Sequence, residues 1–311
     1  MSLRLRRHES VRDAIRRIGA KRIASAAQLI HGASQEGAGE RIHQARKQLK
    51  RARALLRLVR PEVADECWSR VDRRLRKVAR AVSAARDATV LIDTLRKLQE
   101  RQALTSDSLT NLLSSVQRQQ ARVHADVLAN HKDRRRLERA LYEAARRVTR
   151  WTQLHRGWKA IVPGLRRIYA EAQAAAASLQ HIPDCDDMTL HKARKRAQTL
   201  LHVLEFLRPV RPTYIGARIR ALHDLADLLG KDHDLAVLEG TLRDAAAVRL
   251  TQAALQRLNR AVSAERRGLQ HRASQLAEAV YAETEDAFVS QIHRRWKTWR
   301  GHRTRASEAV R

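Results

Sequence analysis

The chain has 311 residues, of which 43% are hydrophobic and only 4% aromatic, so it can bury a core, and that core is mostly Leu, Ala, Val and Ile. Sixty-three Lys and Arg against 33 Asp and Glu leave a formal charge of +30. Self-repulsion of that size works against a compact fold and points to a polyanionic partner: nucleic acid, an anionic membrane surface or a phosphate polymer.

Eleven Gly and five Pro fall at breaks between long periodic segments, the pattern of an all-α protein. No stretch approaches the ~18 apolar residues of a membrane span. The N-terminus has no apolar core of a signal peptide. Cys67 and Cys185, without CxxC spacing, are expected as free thiols in a reducing cytoplasm.

In chain order, Glu9 or Ser10 caps a first helix to about Ile30, with Val11, Ile15, Ile18 and Ile23 inward, and residues 32–39 form a loop. The next helix runs from Glu40 to Pro61. At 3.6 residues per turn it places His43, Arg46, Lys47, Lys50, Arg53 and Arg57 on one side. Ala45, Leu49, Ala52, Leu56 and Val59 lie on the other. A third helix is expected from Glu62 to Ala84, then a break near Ser83–Asp87 with Asp87 capping a fourth. Thr105–Asp107 punctuates the chain before helical segments to about Arg150.

The second half repeats this order. GLRRIYAEAQ at Gly164 matches AIRRIGAKRI at Ala14, and LHKARKRAQTLLHVLEFLRP at Leu190 matches the basic helix 148 residues earlier. VLEGTLR at Val237 shares five of seven positions with VLIDTLR at Val90, and Asp234 falls where Asp87 stands. These near-constant offsets imply an internal duplication. Residues 1–150 and 151–311 are then two antiparallel helical bundles related by a pseudo-two-fold axis, too few copies for a solenoid. The last segment, from about Leu250 to Trp299, reads as continuous helix ending in a basic, Trp-containing tail.

Each half carries a His-x-x-Arg-Lys motif, His43/Arg46/Lys47 and His191/Arg194/Lys195. Like charges one helical turn apart destabilise an isolated helix, and here no acid offsets them on the helix until Glu205. Such a face suits phosphate oxygens: Arg donates two parallel N–H bonds and Lys acts as a mobile charge. A histidine among cations is neutral near pH 7 and gains charge when a polyanion arrives. The bland alternative is a solvated basic face.

Two other readings stay in view. Duplex nucleic acid would bind nonspecifically to so much charge, yet the aromatics are not interleaved with the basic helix, where single-strand binders place stacking platforms. His223-Asp224 and Asp232-His233-Asp234 invite a metal-dependent HD-type phosphohydrolase. Against it, His233 and His223 align with Arg86 and Arg76, which ligate no metal, and Asp234 and Asp87 read as a shared helix cap. Glu40-x-x-His43 resembles half of a di-iron motif, but its counterpart position is Met188.

HQARKQLKRAR at His43, AARDATVL at Ala84, HKARKR at His191 and LLGKDHDLAVL at Leu228 together resemble the CHAD family, the conserved histidine α-helical domain, over about residues 9–300. The resemblance implies two four-helix bundles around a basic central channel, non-catalytic binding of inorganic polyphosphate without cofactor or metal, and association with cytoplasmic polyphosphate granules. It places His43, Arg46, Lys47, Lys50, Arg51 and Arg53 at the ligand, with His191, Arg194 and Lys195 opposite. Arg57, His202, Arg73 and Arg220 complete the candidate set. Gln198, Thr199 and Leu201 stand where the family pattern is basic, so the second wall is expected to grip less strongly.

Overall fold

The computed structural model describes residues 3–34, 37–102, 131–181, 186–243 and 252–301, and among them every regular element is helical. Residues 182–185, including Pro183 and Cys185, and the predicted break at Thr105–Asp107 lie outside the described residues. Nine α-helices are present in that set: α1 (Val11–His31), α2 (Ala38–Leu58), α3 (Asp65–Gln102), α4 (His131–Thr149), α5 (Val162–Ala177), α6 (Asp187–Leu207), α7 (Pro212–Arg243), α8 (Gln252–Val280) and α9 (Glu285–Gly301).

Local chemistry sets several ends. Ser10 caps α1, its hydroxyl accepting from the Asp13 N–H, and Asp186 caps α6 by accepting from the Thr189 N–H. Pro61 and Pro209 sit in short 3-10 turns that follow α2 and α6, where proline cannot extend an α-helix. The apolar stripe read for each of the first three helices is the buried one: Val11, Ile15, Ile18, Ile23, Ala45, Leu49, Ala52, Leu56, Val59, Val71, Leu75, Val78 and Val82 all lie in the core.

Two expectations about helix ends are corrected. α3 runs without a break through Ser83–Asp87, so Asp87 is interior to a helix and is no N-cap, and Asp234 is likewise interior to α7. The shared feature of these aspartates is therefore not capping. The expected continuous segment from Leu250 to Trp299 is instead two helices, broken at 281–284. Thr284 Oγ1 accepts from the Ala287 N–H to start α9.

α1, α2, α3 and α4 pack in a ring, each against the next and α4 back on α1. α5, α6, α7 and α8 do the same, and α9 packs outside on α5. The rings meet where α2 lies on α6 and α3 on α7, the same pair of positions from each. One crossing is closer than side chains allow: a Cβ on Gly164 would lie 1.7 Å from the Leu58 carbonyl oxygen. α5 thus touches the end of α2 backbone to backbone, and Arg167 Nη2 donates to the Arg57 carbonyl oxygen at 3.0 Å.

The basic tail is in part structural. Trp158 stacks on His293 at 5.0 Å, Trp296 is buried, and Arg300 lies over the rings of Trp296 and Trp299. Arg7 Nε donates to the Trp299 carbonyl oxygen at 2.7 Å, and the buried Leu5 sends its N–H to the Phe206 carbonyl oxygen. The N-terminal arm is thereby fastened to both α9 and the end of α6.

Candidate polyanion site

The basic faces of α2 and α6 meet across the line between the two rings. Lys50 sits among Arg46 of its own helix, Arg194 and Lys195 of α6, and Asp234 of α7. Lys195 in turn adjoins Arg53 and Arg57. A groove opens here between Arg57 and the first turns of α6, lined by Met188, His191, Lys192, Lys195 and Arg196.

Crowding of like charge shows in the titration of these groups. The Lys50 pKa falls from 10.5 to about 8. Burial is the largest cause, followed by the charges of Arg194 and Arg46, while Asp234 pulls it back up. Its side chain is nonetheless exposed to solvent beside the groove-lining Lys195. His191 falls to about 4, first through burial and then through Lys195, His233, Arg194 and Lys50, so its imidazole is neutral at pH 7. Arg57 and Lys195 are lowered as well, each first by burial and next by Arg53.

Acids the single-helix reading did not see come from neighbouring helices. Arg53 Nε donates to the buried Asp72 of α3 at 3.0 Å, and Asp72 also accepts from Arg76. Arg51 makes a two-pronged pair with Glu205, both N–O distances 3.1 Å, and His202 Nδ1 lies 3.2 Å from the same carboxylate. Arg196 pairs with Glu171 of α5. These contacts fix guanidinium positions at the groove edge, and they commit Arg51 and Arg53 to protein partners.

Of the residues named from sequence, Arg46, Lys50, Arg53, Arg57, His191, Arg194 and Lys195 come together here. His43 is half-buried and Lys47 exposed on the same face of α2. Arg51 and His202 are joined through Glu205 next to the cluster, where burial first, and then the charges of Arg51 and Lys50, lower the His202 pKa against the pull of Glu205. Arg73 on α3 and Arg220 on α7 are exposed and make no hydrogen bond or ion pair among the described residues. The departures in α6 take other roles: Leu201 is buried, and the Thr199 hydroxyl donates to the Lys195 carbonyl oxygen.

Two contributions from α7 were missed. The His233 ring stacks on His191, centroids 4.6 Å apart, and Gly230 one turn earlier seats Arg194, whose guanidinium would meet a Cβ there at 3.3 Å. The signal was present in LLGKDHDLAVL, where Gly230 and His233 lie on one helix face. The neighbouring Asp232 serves the core: it is buried and accepts from Arg266 Nε at 3.1 Å and Gln270 Nε2 at 2.9 Å. His223 is exposed and pairs with Asp227 at 3.3 Å. Among the described residues no three His, Cys, Asp or Glu side chains gather where they would hold a metal ion. No helix in that set is long and apolar enough to cross a membrane.

The CHAD domain profile matches residues 18–243, which include both basic helices and the Gly230 seat. The chain belongs to the CHAD family. Its fold is similar to the crystal structure of the CHAD domain from the plant Ricinus communis, with a TM-score of 0.56, 20% sequence identity, and coverage of 94% of this chain and 95% of that one. No curated protein matches the chain. The histidines of the two His-x-x-Arg-Lys motifs, His43 and His191, lie on α2 and α6, which pack against each other.

Proposed function

We propose that the groove between α2 and α6 binds inorganic polyphosphate and performs no chemistry on it. The observation that carries this reading is the cation cluster around Lys50, assembled from two helices and crowded enough to hold His191 neutral and Lys50 near pKa 8. Such a site holds electrostatic free energy that a polyanion releases on binding. Successive turns of α2 present cations about 5.4 Å apart, a repeat that a flexible phosphate chain can follow without bases or sugars to read. The repeated neighbour order of the two rings supports their descent from one duplicated bundle, with the groove along the line where the copies meet.

The second reading, nonspecific nucleic acid, has charge in its favour, but the groove lacks the aromatic platforms on which single-strand binders stack bases. All five tryptophans are engaged elsewhere. Trp151 is buried, Trp68 lies under Arg60, and Trp158, Trp296 and Trp299 pack together beside the N-terminal arm. No Trp, Tyr or Phe lines the groove.

Competition decides between them. Labelled long-chain polyphosphate, bound at near-physiological salt, is expected to resist displacement by duplex DNA at equal phosphate concentration; displacement at sub-equal DNA would overturn the reading. Incubating protein and polyphosphate with divalent metals is expected to release no free phosphate. In cells, a fluorescent fusion is expected at cytoplasmic polyphosphate granules and to disperse when Lys50 and Lys195 are both replaced by Ala.

A further inference from the structure

A second pocket lies where the N-terminal arm crosses α1, α2 and the end of α6. Its wall holds four arginines, Arg4, Arg22, Arg51 and Arg208, and one acid, Glu205. That acid is already taken by the two-pronged bond from Arg51 and by His202. Arg22 projects from the middle of α1 and is only 9% exposed. Its one side-chain hydrogen bond among the described residues runs from Nη1 to the neutral amide oxygen of Gln48 at 3.0 Å. Among the described residues Arg208 makes no hydrogen bond or ion pair, and Arg4 is exposed at the rim.

A buried guanidinium without a carboxylate partner is a costly arrangement, since desolvation is not offset by an opposite charge. The cost is visible here: burial, then the charge of Arg51, pulls Arg22 down to about 10, and Glu205 restores only part. The cavity is nevertheless built. The buried Leu5, its N–H bonded to the Phe206 carbonyl oxygen, and Arg17, donating to the Arg4 carbonyl oxygen, hold the arm that walls it.

We infer that this pocket is a second anion site, separate from the α2–α6 groove, that takes a small phosphate-class ligand of one or two phosphoryl units through Arg22, Arg208 and Arg4. The three guanidiniums line one pocket from three elements, Arg22 from α1, Arg208 from the turn after α6 and Arg4 from the N-terminal arm. That arrangement suits a tetrahedral oxyanion better than a planar carboxylate, whose acceptors lie in one plane. The ligand is small because Glu205 stands between the pocket and Lys50. A long chain passing from one site to the other would have to run alongside a carboxylate held ionised near pKa 2.

The test is calorimetric titration of the full chain with pyrophosphate, orthophosphate and citrate at ~0.15 M salt, where exposed charges are largely screened. The wild-type protein and a Lys50→Ala/Lys195→Ala variant are both expected to bind pyrophosphate saturably, with citrate at least tenfold weaker. Arg22→Met, which fills the space without charge, is expected to abolish that binding and to retain long-chain polyphosphate binding. Arg208→Gln, a substitution at a partly exposed position, is expected to weaken pyrophosphate at least fivefold and serves should Arg22→Met fail to fold. Pyrophosphate binding that is lost in the Lys50/Lys195 variant but unchanged in Arg208→Gln would overturn the second site, as would no saturable binding at all. Because long-chain polyphosphate is measured in parallel, failure of the pocket and failure of the groove give different results.

Discussion

His191 of α6 and His233 of α7 stack with ring centroids 4.6 Å apart and an interplanar angle of 28°, while His191 Nδ1 is buried without a hydrogen-bond partner. Two imidazoles this close, facing Lys50 from α2 and Lys195 and Arg194 from α6, cannot both be charged cheaply in the empty groove. A phosphate chain reverses that balance. The ligand-free His191 is held down to about 4, first by burial; a polyanion raises its pKa, so binding takes up protons in the window between about 4 and the raised value. Polyphosphate affinity is expected to strengthen as pH falls from 7 to 5. NMR titration of the His191 ring with and without ligand checks it, and an unmoved midpoint would refute it. Stability runs the opposite way: His191 is held below its ordinary 6.5, so the unfolded chain binds more protons and stability declines as pH drops from about 6.5 towards 4.

Lys50 gives the complementary alkaline limb. Its ammonium is lost from the empty groove near pH 8 and retained to higher pH beside phosphate, so affinity is expected to fall as pH climbs from 8 towards 10.5. Lys50→Arg keeps its charge across that range and is expected to flatten the decline. A decline of equal steepness in the variant would assign it to another group. Fluorescence binding isotherms between pH 7 and 10 measure both.

Glycine substitutions test the crossing that sets the two rings against each other. At Gly164 an added Cβ would fall 1.7 Å from the Leu58 carbonyl oxygen, a backbone atom that cannot rotate away. Gly164→Ala is expected to cost about 3 kcal/mol or more, at the upper end of overpacking losses. Gly268 is an exposed position within α8 with nothing within 4 Å of its added Cβ. Gly268→Ala is expected to stabilise by about 0.5–1 kcal/mol through helix propensity. Denaturant melts of both variants decide the matter, and equal effects would contradict the backbone contact.

What could be read from sequence divides along physical lines. Helix faces were legible because burial follows a 3.6-residue period: Leu49 and Leu56 went to the core, and Lys50 and Arg57 to the groove, as spacing requires. Helix ends were less legible. Asp87 and Asp234 have capping chemistry, but tertiary packing carries α3 and α7 straight through them. Partners across helices were not legible at all. Arg51 and Arg53 looked like ligand-facing cations until Glu205 and Asp72 arrived from other elements, at sequence separations of 154 and 19. The same applies to His233, whose partner His191 lies on another helix; no local pattern encodes that pairing.

Those cross-helix partners also change which cations are expected to matter most. From sequence, the α2 wall is the stronger, so replacing both Arg46 and Lys47 by Ala is expected to cost more than replacing both Arg194 and Lys195. The geometry shifts weight to Lys195, which is exposed as Lys47 is but lines the groove and adjoins Lys50, Arg53, Arg57 and His191. Two α2 guanidiniums are also already committed to acids. Lys195→Ala is therefore expected to weaken polyphosphate binding more than Lys47→Ala, by roughly tenfold against twofold. Each lost phosphate contact should also lower the slope of log K against log salt by about 1. The Lys195 variant should show that reduced slope and the Lys47 variant should keep the wild-type one. Isotherms at four salt concentrations measure it, and a smaller slope in Lys47→Ala than in Lys195→Ala would place the phosphate chain over the first turns of α2 instead of in the α2–α6 groove.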